Sequence, residues 1–195
     1  MSRYNWNIVF FSDEKDFVLG SAPGYAWQEP ENRIIQEYVR HAPKLHVWGA
    51  IGSYGKTKLH FFDENLNSDV YIAILKSRLK ENQITYDGCK RKWTFLQDGH
   101  RAHTSKKSMK FLREHIGDRL VEHPALSPDL NPIEDIWSYL DRKVKEARIT
   151  DIRRLKAVLT KEWRELPWSE IRKSVDSMNQ RLQLCIASDG NRIPY

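Results

Sequence analysis

His123-Pro-Ala-Leu-Ser-Pro-Asp-Leu-Asn-Pro-Ile-Glu-Asp-Ile-Trp137 reads as the entrance to a helix. Asn131 suits the N-cap, Pro132 the first helical position and Glu134 the third. This is an asparagine variant of the capping box, in which the glutamate bonds back to the cap amide. Ile133, Trp137, Leu140 and Val144 then fall on one face of a helix over 132–147. Two apolar runs upstream end on aspartates, Ile8-Val-Phe-Phe-Ser-Asp13 and Trp93-Thr-Phe-Leu-Gln-Asp98. Three carboxylates, each where an element starts or stops, form the layout of a metal-dependent phosphoryl-transfer site.

The chain around this constellation has 195 residues, the size of one domain. Thirty-two Lys and Arg against 26 Asp and Glu leave a formal charge of +6, which favours polyanionic partners without proving one. Cys89 and Cys185 are the only cysteines. They exclude a disulfide framework, suit a reducing compartment and have no neighbouring cysteine for a structural zinc site. No apolar run reaches the roughly 20 residues of a membrane span, and the N-terminus lacks a secretory apolar core. A soluble intracellular domain is expected.

The pattern predicts a strand over 7–12, a polar turn at Asp13-Glu-Lys-Asp16 and a long excursion over 20–44 containing Trp27. Leu45–Ile51 and Thr57–Phe62 read as a strand pair joined through Gly52-Ser-Tyr-Gly55. Ser68 is placed to cap a helix, Lys92–Gln97 to form the next strand, Thr104–His115 a helix and Arg119–Glu122 a short strand. Helices over 132–147, 151–164 and 168–186 follow. The expected fold is α/β: a mixed central sheet of three antiparallel strands and two more, flanked by helices, with a helical extension over about 150–190.

Transfer of a phosphodiester requires charge neutralisation at the attacking and leaving oxygens, which a pair of divalent cations supplies. Magnesium prefers oxygen ligands and keeps several waters, so a few carboxylates suffice. If the strands ending at Asp13 and Asp98 are neighbours, both side chains reach one metal, and in its absence their proximity raises at least one pKa. Each carboxylate also has a plainer reading. Asp13 with Glu14 and Asp16 is an ordinary solvated turn, Asp98-Gly99 a common turn dipeptide, and Glu134 a capping residue.

Ser12-Asp-Glu14 after an apolar strand, Gln97-Asp-Gly99 followed by His103-Thr-Ser105, and Ser127-Pro-Asp-Leu-Asn-Pro-Ile-Glu134 together resemble the mariner superfamily of cut-and-paste DNA transposases. The resemblance covers nearly the whole chain and includes Val47-Trp-Gly49. The 35 residues between Asp98 and Glu134 match the family's spacing. It implies an RNase H-like fold, with Asp13, Asp98 and Glu134 as a metal-binding catalytic triad for two Mg²⁺ or Mn²⁺ ions. It implies cleavage at transposon ends and joining of 3′-hydroxyls to target DNA. Trp27 matches the family's inserted loop, which helps a homodimer assemble around DNA. The implied location is nuclear in a eukaryote and otherwise intracellular. No membrane and no small-molecule cofactor are expected.

Two departures stand out: His100-Arg-Ala102 replaces the family's usual residues after Asp98-Gly99, and His123 stands where tryptophan is common. The family's two helix-turn-helix units would precede Asp13, whereas these 195 residues hold about a dozen there. The expectation is a catalytic-domain piece or truncated copy whose DNA binding is weak, sequence-blind and salt-dependent. His103, Lys106, Lys107, Arg142 and Lys143 are candidate DNA contacts, set against the plainer reading of solvated helix faces. Two alternatives remain open: an RNase H-like nuclease or resolvase without strand transfer, and a domesticated, non-catalytic DNA-binding or assembly module.

Overall fold

The computed structural model describes residues 5–19, 43–80, 83–87, 92–121 and 127–195. Trp27 and His123, and most of the predicted 20–44 excursion, lie outside the described residues. The strands are β1 Val9–Val18, β2 Lys44–Gly52, β3 Gly55–Thr57, β4 His60–Phe62, β5 Ile84–Tyr86, β6 Thr94–Leu96 and β7 Leu120–Val121. The helices are α1 Ser68–Arg78, α2 Arg101–Thr104, α3 Lys106–Ile116, α4 Ile133–Glu146, α5 Ile152–Glu165, α6 Trp168–Asp176 and α7 Met178–Ala187. One sheet runs in the order β5-β3-β2-β1-β6-β7, with β4 also paired to β2. β1 is antiparallel to β2 and parallel to β6, and β6 is parallel to β7.

Helices cover both faces, and alternate residues of β1 divide between them. Val9, Phe11 and Phe17 join Trp137, Leu140, Leu159 and Trp163 in one core. Phe10 packs with Tyr71, Leu75, Phe95 and Leu112 in the other. The helical extension is fastened to the first core by more than apolar burial. Trp163 Nε1 donates to the Thr57 carbonyl at 2.7 Å. Lys56 Nζ donates to the carbonyls of Trp163, Arg164 and Leu166 at 2.7, 3.2 and 3.2 Å. Those carbonyls end α5 and have no intrahelical partner. Burial lowers the Lys56 pKa to about 8.

The structure departs from the sequence expectations where long-range pairing overrides local signals. Asp13–Asp16 is strand, not turn, because every residue from Phe11 to Val18 is paired along β2. The third strand is split. β2 pairs Ile51 with Lys56 but Trp48 with His60, a shift of one residue that leaves Lys58 as a bulge. The bulge turns Leu59 inward, where it is 7% exposed. β5 and α2 carry too few residues to show periodicity and were not anticipated. The cap of α1 is Asn67, whose Oδ1 accepts from the amides of Asp69 and Val70 at 2.8 and 3.1 Å. Ser68 instead bonds the Ser105 hydroxyl. The predicted 168–186 helix breaks at Ser177 into α6 and α7. Among the described residues, no helix is long and apolar enough to cross a membrane.

Candidate active site

β1 and β6 lie side by side in parallel, with Val9 beside Thr94 and Phe11 beside Leu96. Asp13 and Asp98 each lie two residues beyond the last pair of this register, Phe11 with Leu96. Asp13 therefore stands within a ten-residue central strand, and Asp98 just beyond the end of its neighbour. The alternation of β1 sends Asp13 and Lys15 to the face covered by α4, and Glu14 to the opposite face. On the α4 side, Trp137 Nε1 donates to Asp13 Oδ2 at 3.0 Å. Trp137 reaches this position through a gap in β2: Gly49 pairs opposite Asp13. A Cβ at Gly49 would come within 3.1 Å of both Trp137 and Trp163, whose rings stack at 5.7 Å. The Val47-Trp-Gly49 signature thus has a steric reason.

Glu134 enters from the first turn of α4, half-buried. The expected capping box is absent. Asn131 Oδ1 is buried without a hydrogen-bond partner, and its Nδ2 donates to the Ser12 carbonyl at 3.2 Å. Ser12 Oγ in turn donates to the Leu96 carbonyl at 2.9 Å. Leu96, Ser12 and Asn131 precede Asp98, Asp13 and Glu134 by two, one and three residues. A single polar relay therefore ties together the backbones that carry all three carboxylates. Sequence reasoning missed Ser12 and Asn131 in this role, since their partners lie far away in the chain.

Burial, then the neighbouring charges of Glu14 and Glu134, hold the Asp13 carboxyl well above its usual pKa, against hydrogen bonds from the Glu14 amide and Trp137. Burial also raises Glu134; the charge of Lys15 opposes this, while Asp135, Asp141 and Asp98 add to it. Burial pushes Asp98 upward as well, but hydrogen bonds from His103 and the His100 amide outweigh it and the net shift is down. The result is a group of acidic side chains in which Asp13 and Glu134 are raised and Asp98, beside His103, is lowered. Its donors are all carboxylate oxygens, the set a hard divalent ion prefers. Among the described residues, no three His, Cys, Asp or Glu side chains stand together as a closed set of ligands.

His103 is 2% exposed, so it is not placed to touch DNA as the sequence suggested. Its Nδ1 lies 2.5 Å from Asp98 and its Nε2 3.1 Å from Glu14, with the ring over Tyr71 at 4.0 Å between centroids. Burial lowers the imidazole pKa, but the two carboxylates outweigh that effect and push it up to about 9. A group raised in the fold contributes fully below its unfolded pKa of roughly 6.5 and loses that contribution as pH climbs to about 9. We therefore expect His103→Gln to cost about 3 kcal/mol at pH 6 and far less at pH 9.5. Urea unfolding at both pH values reads this difference directly; an equal penalty at both would show that folding does not raise the His103 pKa.

The other predicted contacts are dispersed. Lys106 is exposed at the start of α3, and Lys107 forms an exposed ion pair with Asp69. On α4, Arg142 and Lys143 lie over the Tyr139 ring at 5.4 and 5.8 Å, and Lys143 pairs with Glu146 at 3.1 Å. A cation absent from the sequence expectations is closer to the carboxylates. Lys15 shares the Asp13 face, pairs with Asp141 at 3.3 Å and acts electrostatically on Glu134. The period-two alternation of a continuous strand would have revealed it.

The strand order, with helices on both faces and acidic residues on β1, just past β6 and on α4, is that of an RNase H-like fold. The profile of the DDE superfamily endonucleases matches residues 8–156. The transposable element Tcb2 transposase of Caenorhabditis briggsae is 31% identical over 200 residues, 99% of this chain and 72% of that protein. The Tc3 transposase of Caenorhabditis elegans is 31% identical over 198 residues, 98% of this chain and 59% of that protein. The chain thus spans little more than half of the Tc3 protein's length. Among solved structures, the catalytic domain of Mos1 mariner transposase superposes with a TM-score of 0.71 at 18% identity, covering 96% of this chain and 85% of that one. The Mos1 paired-end complex with Mg superposes with a TM-score of 0.80 at 18% identity, over 96% of this chain and 57% of that one. The chain belongs to the DDE superfamily endonucleases, as a transposase catalytic domain of the Tc1/mariner type.

Proposed function

We propose that this domain cleaves DNA at transposon ends and joins the freed 3′-hydroxyls to target DNA, with Asp13, Asp98 and Glu134 holding Mg²⁺ or Mn²⁺. The observation that supports this reading is the polar relay from Asn131 through Ser12 to Leu96, which ties together the backbone segments bearing Glu134, Asp13 and Asp98. Two divalent cations, when bound, supply charge neutralisation at the attacking and leaving oxygens.

The chain's own residues prepare the cleft. Trp137 holds one oxygen of Asp13, which orients the carboxylate. His103 reaches Asp98 Oδ1 through Nδ1 and Glu14 through Nε2, which fixes the direction of the Asp98 carboxylate from behind. Lys15, at the same face, is suited to a backbone phosphate. The partner is DNA, in a homodimer to which the Trp27 segment contributes, and the location in a eukaryote is the nucleus.

The test uses uncut transposon-end duplexes to read cleavage, and precut ends with a labelled target plasmid to read joining, each with Mg²⁺ or Mn²⁺. End cleavage and joined products are expected with metal and absent with EDTA. Cleavage without joining would favour a resolvase-like nuclease. Inactivity of a version that also carries end-recognition domains would favour a non-catalytic assembly module.

A further inference from the structure

We propose that Arg181, assisted by Ser174, is a positioning residue for Glu134, so that the C-terminal helices act on the active site. This inference rests on the reading of Glu134 as a metal ligand.

The first turn of α4 is closed by the Glu134 and Asp135 amides, which donate to the Asn131 and Pro132 carbonyls at 3.1 and 3.2 Å, but it has no side-chain cap. Pro132 at the N-cap makes no side-chain cap bond, and Asn131 is turned away to Ser12. The grip comes from residues 174–193. Arg181 is 1% exposed, and a buried guanidinium must find partners for its donors. Its Nη1 donates to the Asp129 carbonyl at 2.8 Å, its Nη2 to Asp135 Oδ2 at 2.5 Å and its Nε to Ser177 Oγ at 2.7 Å. The Tyr195 ring closes over it at 4.1 Å. Ser174 Oγ lies within hydrogen-bond distance of both the Pro132 carbonyl (2.7 Å) and Asp135 Oδ2 (2.5 Å). The Ile193 amide donates to Asp129 Oδ2 at 3.0 Å.

Positions 129, 132 and 135 are therefore clamped by the extension, and Glu134 sits inside the clamp with its own carboxylate left to the cleft. Apolar residues stabilise a helix contact at least as well as a buried ion pair does. What the guanidinium fork adds is a fixed direction, since its donors lie in one rigid plane. Groups that orient metal ligands from behind typically change metal affinity by 10- to 100-fold when removed. Arg181 is suited to that role through Asp135 and the turn.

Mn²⁺ titration calorimetry on the 195-residue chain, paired with thermal unfolding, tests the assignment. Arg181→Lys keeps the charge and loses the fork; it should weaken Mn²⁺ binding about 10-fold. Ser174→Ala, a small change that keeps the test available if Arg181→Lys does not fold, should weaken it about 3-fold. In a Glu134→Gln background, either change should add less than about 2-fold, because the group being positioned is gone. A lower thermal midpoint with unchanged Mn²⁺ affinity, or equal weakening with and without Glu134, overturns the proposal and leaves Arg181 a purely structural residue. If the unsubstituted chain binds no Mn²⁺, or Glu134→Gln leaves its affinity intact, the metal reading of Glu134 fails and this inference falls with it.

Discussion

Asp98→Asn is expected to reduce metal-dependent DNA cleavage by on the order of 10³-fold or more, with the fold preserved. Each decade in rate corresponds to about 1.4 kcal/mol, and the electrostatic stabilisation lost with one metal-holding carboxylate is several kcal/mol. Asparagine keeps an acceptor for the His100 amide, now 3.0 Å from Asp98, and for His103. Structure is therefore conserved while charge is removed. Single-turnover cleavage of an end duplex, with circular dichroism of the same sample, separates the two effects. Cleavage within a few-fold of the unsubstituted rate would remove Asp98 from the catalytic set.

Asp13→Asn should abolish cleavage to a similar extent while making the metal-free protein more stable. The Asp13 pKa is raised in the fold, by burial first and by Glu14 and Glu134 next. Its ionisation therefore opposes folding. The metal-free protein loses stability as pH rises from the unfolded aspartate value through the raised folded one, and that cost persists at neutral pH. Asparagine retains an oxygen for the Trp137 N–H and carries no charge. The gain should be on the order of 1 kcal/mol at pH 7.5, or ~2–4 °C for a domain of this size. Added Mn²⁺ should stabilise the unsubstituted protein by about 2.7 kcal/mol at a hundredfold excess over Kd, and the variant far less. Thermal melts with and without Mn²⁺ at pH 5 and 7.5 give all four quantities. A variant less stable than its parent without metal, yet still stabilised by Mn²⁺, would contradict this account.

These two aspartates show how much of the proposed site was legible. Both were found from apolar runs that end in a carboxylate, and Glu134 from a proline-bounded helix start, because each signal lies within a few consecutive residues. The reading of Asp13–Asp16 as a turn failed for a definite reason. The local preference of Asp-Glu-Lys-Asp is weak, and eight consecutive pairings to β2 outweigh it. That error hid the alternation that separates Asp13 and Lys15 from Glu14. His103 was selected as important and given the wrong surroundings, since nothing in the sequence states that Glu14, 89 residues away, holds its second nitrogen. Asn131 was placed in a cap because local pattern favours it, and the structure uses it as a strut to Ser12.

The sequence by itself determined most of the long elements, the order of the three carboxylates along them and the motifs that resemble mariner transposases. All of these are set by hydrophobic period, turn chemistry and spacing along the chain. Only the tertiary structure decided which partners each carboxylate keeps. Asp13 is bound by Trp137 through the gap at Gly49, Asp98 by His103, and the turn around Glu134 by Arg181 and Ser174. Those contacts join residues 5 to 124 positions apart, and their energies depend on burial and direction in space. Periodicity and spacing carry no record of either.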